Sequence, residues 1–149
     1  MKKNKEKYNI PNKATTQPKY IKGEATPTID PIEEDGNDKY VFLSLKNIQP
    51  QYQCFSDWDK TAMSKFWDFS RKLHQSTWTD IYRSAGNKNK TGFAYTPIPL
   101  SKYHGLSNLD KEVSMFELRV DDKIRVHGFR QHSIFHLCVL DKNHNITAK

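Results

Sequence analysis

Towards its C-terminus the chain sets arginine, histidine and glutamate in close alternation: Glu117, Arg119, Arg125, His127 and His136. In extended strands, residues two apart share a face, so this spacing collects them on one side of a sheet. Arginine's planar fork grips phosphate oxygens and stays charged at any relevant pH. Histidine beside it moves protons near neutrality, and a glutamate can orient that histidine or act as base. Such groups on one rigid sheet are what metal-independent phosphodiester cleavage requires. Four neighbouring groups or motifs compete for a role. His127, His132, His136 and His144 are zinc-type ligands, but no adjacent carboxylate or cysteine pattern completes a site, so no metal is expected. Cys138 is a lone strand cysteine, with nothing to mark it as activated. The stretch from Gly86 to Thr91 lacks the Gly-Lys-Ser/Thr ending of a phosphate loop. Phe93, Tyr95, Tyr103 and Phe129 have the chemistry to stack on bases, though aromatic residues in a small protein more often fill the core.

The elements that must position these groups follow from periodicity. Met115–Val120, Lys123–Phe129 and Ile134–Leu140 read as three strands of an antiparallel meander. Phe116, Leu118 and Val120, then Ile124 and Val126, then Phe135, Leu137 and Val139 form the apolar face. A two-residue turn at Asp121-Asp122 would oppose Leu118 to Arg125, mixing core with polar face. A three-residue link, Asp121-Asp122-Lys123, opposes Leu118 to Val126, Arg119 to Arg125 and Glu117 to His127. A four-residue link from Arg130 to Ser133 then opposes Val126 to Leu137 and His127 to His136. Arginines directly opposite each other repel by up to about 1 kcal/mol. An anion seated between them removes that repulsion; on an ordinary solvated face, Glu117 and water screen it.

Upstream, Tyr40–Leu45 reads as a first strand. Ser56 looks like the cap of a helix whose face runs through Trp58, Ala62, Phe66, Phe69 and Leu73, widened by Met63 and Trp67. Thr77 caps a shorter helix to about Arg83, with Trp78, Ile81 and Tyr82 packing. Trp58, Phe66, Trp67, Phe69 and Trp78 are all assigned to the core. Residues 87–113, with Gly92, Pro97, Pro99 and Gly105, form a long connection of the kind that is often functional.

A chain of 149 residues suits one domain. No apolar run approaches the roughly 18 residues of a membrane span, and the basic start is not followed by an apolar stretch, so neither a membrane segment nor a secretory leader is expected. Two cysteines cannot build a disulfide framework, which points to a reducing, cytoplasmic setting. The net charge of +7 lies wholly in residues 39–149. Residues 1–38 are blocked by sign and poor in large aliphatics, so a disordered arm is expected there, followed by an α+β domain over 39–149.

The element order, strand–helix–helix and then a three-strand meander, together with local sequence, resembles the RelE/ParE superfamily of toxin–antitoxin systems. Tyr103-His104-Gly105-Leu106 is similar to the family's lead-in, and Phe116-Glu117-Leu118-Arg119 to its Glu-Leu-Arg strand. Ile124-Arg125-Val126 resembles its Tyr-Arg-Val strand, and Phe135 through His144 its closing strand with the following Asp-x-x-His. The motifs cover about the last 45 residues, and the element order about 110. The chain departs from the pattern in the spacing of Arg119 and Arg125 and in having Ile146 where a catalytic tyrosine often stands.

The resemblance implies a basic concave sheet. In the RelE branch that surface cuts messenger RNA on the ribosome, through attack of the 2′-hydroxyl on the adjacent phosphate and without a cofactor. By that resemblance Arg119 and Arg125 would neutralise the phosphorane. His127 or Glu117 would be the base and His144 or His136 the acid, while Lys123, Arg130, Lys102 and Lys111 would hold RNA phosphates. The implied partners are RNA and an acidic antitoxin. Two other readings keep the fold without the chemistry: a ParE-like topoisomerase inhibitor and a plain nucleic-acid-binding module.

Overall fold

The computed structural model describes residues 32–86, 92–106 and 108–147. Most of the predicted arm, residues 1–31, and most of the rejected phosphate loop, residues 87–91, lie outside them. The chain is a mixed α+β fold. β1 (Phe42–Ser44) leads to α1 (Lys60–His74) and α2 (Trp78–Arg83), and then to β2 (Thr96–Pro97), β3 (Met115–Arg119), β4 (Arg125–Gln131) and β5 (Ile134–Asp141). These build one five-stranded sheet in the order β1-β5-β4-β3-β2. β1 runs parallel to β5 and every other pair is antiparallel. β2, drawn from the long connection, is an addition to the predicted strands.

α1 starts later than expected. Asp59, not Ser56, is its N-cap, and its carboxylate accepts the Ala62 N–H at 2.8 Å. Phe55–Asp57 forms a separate 3-10 turn ahead of it. Arg71, Lys72 and His74 crowd the last turn, where positive charge suits the helix dipole. Ala62, Phe66, Phe69 and Leu73 are buried, but Trp67 is 63% exposed. It stands one residue, about 100° of helix, beyond Phe66 and so leaves the buried stripe. Thr77 caps α2 as expected, in a box with Asp80.

α1 and α2 cover one sheet face, packing Phe66, Phe69, Leu73, Trp78 and Ile81 against Phe116, Leu118, Val126, Phe135 and Leu137. The other face is not open. Ile98 and Tyr103 from the long connection bury Met115, Cys138 and Val139 there, with Leu106, Leu109, Val113 and Ile146 around them.

The β3–β4 register is the predicted one: Glu117 opposes His127, Leu118 opposes Val126 and Arg119 opposes Arg125. The β4–β5 register is not. The turn is two residues, His132-Ser133, with Gln131 opposite Ile134 and His132 left-handed at φ 54°; a residue with positive φ in such a turn matches the twist of the flanking strands. A bulge between His127 and Gly128 then opposes Gly128 to Leu137 but His127 to Val139. The extra residue, Cys138, sends Val139 to the far face, Leu140 to the helix face and Asp141 opposite Arg125. Gly128 is what permits the close approach, since a Cβ there would lie 2.0 Å from the His136 carbonyl oxygen.

Both outer strands are short. The Leu43 N–H of β1 is taken by Nε2 of His74 at 3.1 Å. Burial pulls the pKa of that imidazole down, which favours the neutral acceptor.

Candidate active site

Glu117 is the hub of a polar cluster on the far face of the sheet. Its carboxylate is buried, with Oε1 3.6 Å from Nε of Arg125. Oε2 lies 3.5 Å from Nε2 of both His127 and His144, and accepts the Thr147 hydroxyl. His127 is fully buried, with Nδ1 2.7 Å from the Tyr103 hydroxyl and Nε2 3.7 Å from Asp141 Oδ2. Nε2 itself has no hydrogen-bond partner. Three strands, the long connection and the C-terminal segment thus each contribute to one site.

Asp141 fixes that C-terminal segment. Its two oxygens accept the N–H groups of Asn145 and Ile146 at 2.9 and 3.0 Å. Burial alone would raise its pKa, but the His127 ring and those two N–H groups outweigh it and hold the carboxyl below the usual value. The turn so made, with His144 left-handed at φ 57°, presents His144 to Glu117 and to the Thr147 hydroxyl at 2.8 Å. The His144 side chain is 31% exposed, so it can meet a substrate, whereas Glu117 and His127 sit behind it.

The arginines differ in their surroundings. Arg125 is buried, donates to the Asp121 and Ile124 carbonyls at 2.7 and 3.1 Å, and has its pKa lowered by that burial. Arg119 is half-buried beside it and borders a cleft of about 330 Å³ with Lys65, Lys72, Phe69 and Phe93. Lys123 is exposed in the β3–β4 link, where it lines a neighbouring cleft with Lys65 and Lys142. Lys102 and Lys111 are exposed on the long connection.

Two predicted site residues lie elsewhere. His136, opposite Phe129 rather than His127, stacks on the Phe129 ring at 4.8 Å and is held by Asn47 and Gln131. The shifted register removes it from the cluster. Arg130 sits on the helix face, its guanidinium 4.4 Å over the Trp78 ring. There it donates to Asn37 and Tyr82 and to the carbonyls of Asp35 and Gly36, so it clamps residues 35–37. His132 is likewise turned away, 2.7 Å from Asp35.

Among the described residues no three His, Cys, Asp or Glu side chains are arranged to hold a metal ion. Burial pushes the Cys138 thiol up to about 12, far from a thiolate at neutral pH. Phe93 and Tyr103 are buried, and Tyr95 packs on Tyr82 and Phe116. Asp141, Tyr103 and Thr147 complete the cluster, and all three lie outside the Glu-Arg-His alternation that marks its other members. Glycine inside the β4 pattern was the available signal for the bulge that brings in Asp141.

What the arrangement can do is hold an imidazole at the surface with a carboxylate behind it, and the Arg125 guanidinium against that carboxylate. No family model matches the chain, and neither a curated protein nor a solved structure does.

Proposed function

We propose that the protein is a metal-independent endoribonuclease of the RelE/ParE toxin kind, acting on messenger RNA in the cytoplasm. One observation carries the reading: Oε2 of Glu117 lies 3.5 Å from Nε2 of the partly exposed His144, while Oε1 lies 3.6 Å from Arg125. With Nε2 facing Glu117 and Thr147, Nδ1 is the nitrogen left for substrate. His144 takes the proton of the ribose 2′-hydroxyl, whose oxygen forms a bond to the adjacent phosphorus. The P–O5′ bond breaks, and the departing 5′ oxygen is protonated by solvent. The products are a 2′,3′-cyclic phosphate and a free 5′-hydroxyl. Glu117 stabilises the imidazolium, and Arg119 with Arg125 supplies positive potential where phosphorane charge develops. Lys123, Lys102 and Lys111 are exposed to hold flanking phosphates. An acidic antitoxin laid over the same basic groups is the partner this reading implies.

A second reading is favoured by the burial of His127 and by the carbonyl contacts of Arg125: the face binds a partner, as a ParE-like inhibitor or a nucleic-acid module does, and cuts nothing. Expression of the wild type, His144→Ala and Arg119→Ala in bacteria separates the two. Growth arrest with messenger RNA cut inside coding regions to cyclic-phosphate ends, lost in His144→Ala, is the expected result. Arrest with DNA damage and intact messenger RNA, or no arrest at all, overturns the nuclease.

A further inference from the structure

Tyr103 enters the site from outside the sheet. Its segment is anchored on both sides. The Ile98 N–H donates to the Met115 carbonyl at 3.0 Å, and the Tyr52 hydroxyl and Gln51 amide hold the His104 and Gly105 carbonyls at 2.7 and 2.9 Å. The phenol is thereby pressed edge-on against the His127 ring, with centroids 5.4 Å apart and planes at 81°. Burial pushes its pKa up, so its oxygen keeps a proton to donate.

His127 is faced by Glu117 from β3, by Asp141 from β5 and by Tyr103 from the connection. Glu117 in turn faces Arg125 and His144. The ring has two neutral tautomers. Were the hydrogen on Nδ1, Nε2 would aim a lone pair at two carboxylates, 3.5 and 3.7 Å away, in a fully buried place. With the hydrogen on Nε2, Nδ1 accepts from Tyr103 at 2.7 Å and the N–H lies between the two carboxylates. The first arrangement sets a lone pair against two negative carboxylates; the second pairs Nδ1 with the phenol and turns the Nε2 hydrogen towards both carboxylates, without closing a hydrogen bond to either.

We infer that Tyr103 locks His127 in the Nε2–H tautomer, making the pair a positioning unit that aims the Glu117 carboxylate at His144. The inference rests on the proposed function for its consequence, but its physical content does not. Neither Tyr103 nor His127 touches RNA; both act through Glu117. This also gives the long connection a role, since it delivers a hydroxyl that the sheet lacks.

The test has two arms. Nitrogen-15 NMR of the imidazole ring, assigned by loss of its signals in His127→Gln, reads the tautomer directly. The expected spectrum near neutral pH is the Nε2–H form in the wild type and a mixed form in Tyr103→Phe, which removes one oxygen and keeps the ring. In the second arm, cleavage of a model messenger RNA, free and on programmed ribosomes, by Tyr103→Phe loses about tenfold in kcat with KM unchanged and an altered pH profile. An Nδ1–H or doubly protonated ring in the wild type overturns the inference. So does a Tyr103→Phe protein with the wild-type spectrum or the wild-type pH profile. If the wild type cuts no RNA, the nuclease reading fails, while the ring spectrum still decides the tautomer.

Discussion

Gly128→Ala tests whether the bulge is built around a missing side chain. A Cβ at this position would meet the His136 carbonyl oxygen at 2.0 Å and Cε2 of Phe135 at 2.6 Å. Ordinary contacts begin near 3.4 Å, well beyond both distances, and the first obstacle is backbone of the paired strand. Relief therefore requires β5 to move away from β4 at the centre of the sheet. Overpacking of this kind costs about 1–3 kcal/mol. Stretching the two adjoining ladder bonds adds about 1 kcal/mol for each. The sum, about 3–5 kcal/mol, is a large part of the 5–15 kcal/mol that typically holds a domain together. Urea unfolding followed by tryptophan fluorescence measures it, with Gly36→Ala as comparator. There the nearest atom, at 2.5 Å, is the end of the Asp38 side chain, which can swing aside. A Gly128→Ala midpoint within about 0.5 kcal/mol of wild type would show that the close approach is not a constraint.

Glu117→Gln keeps the size of the hub but removes its charge, leaving Arg125 without its carboxylate. RNA cleavage is expected to fall about hundredfold, and stability by about 1–3 kcal/mol, read by rate assays and urea titration. Asp141 has its pKa depressed in the folded chain, so its contribution is complete above the unfolded carboxylate value of about 3.9 and is lost as pH falls through the lower folded value. Asp141→Asn is therefore expected to flatten the acid limb of stability in that window, followed by circular dichroism. Trp78→Ala, at a fully buried ring, costs about 3–5 kcal/mol, whereas Trp67→Ala changes stability by under about 0.5 kcal/mol; paired thermal melts check both.

The β3–β4 pairing was legible because both strands are amphipathic: any other parity would have turned Arg125 into the core. β4–β5 defeated the same argument, since parity holds only while the two strands advance residue for residue. Gly128 interrupts that count, and the change of phase it allows moved Val139 and Asp141 to the far face, while the shorter turn set His136 opposite Phe129 and away from His127. Arg130 was misplaced for the same reason that makes sheet ends hard to read. It faces the helices and pairs with residues 35–37, a contact between parts of the chain that no local pattern connects. The same holds for Tyr103. Its lack of period marked a connection, but only the packed structure says which face that connection covers. The Glu117, Arg125 and His127 grouping was recovered because it depends on adjacent strands alone; His144 entered by resemblance, and the turn that seats it depends on Asp141.

The two margins of the sheet have a consequence for how anything large can engage this protein. On one side β2 spans two residues and includes Pro97, which has no amide hydrogen to offer. On the other, the Leu43 amide is already occupied by an imidazole from α1. An intruding peptide would find little ladder to extend, so recruitment by strand addition and edge-to-edge growth into aggregates are both disfavoured. Visitors must come to the loops and helix surfaces instead, where His144 and the exposed lysines are displayed.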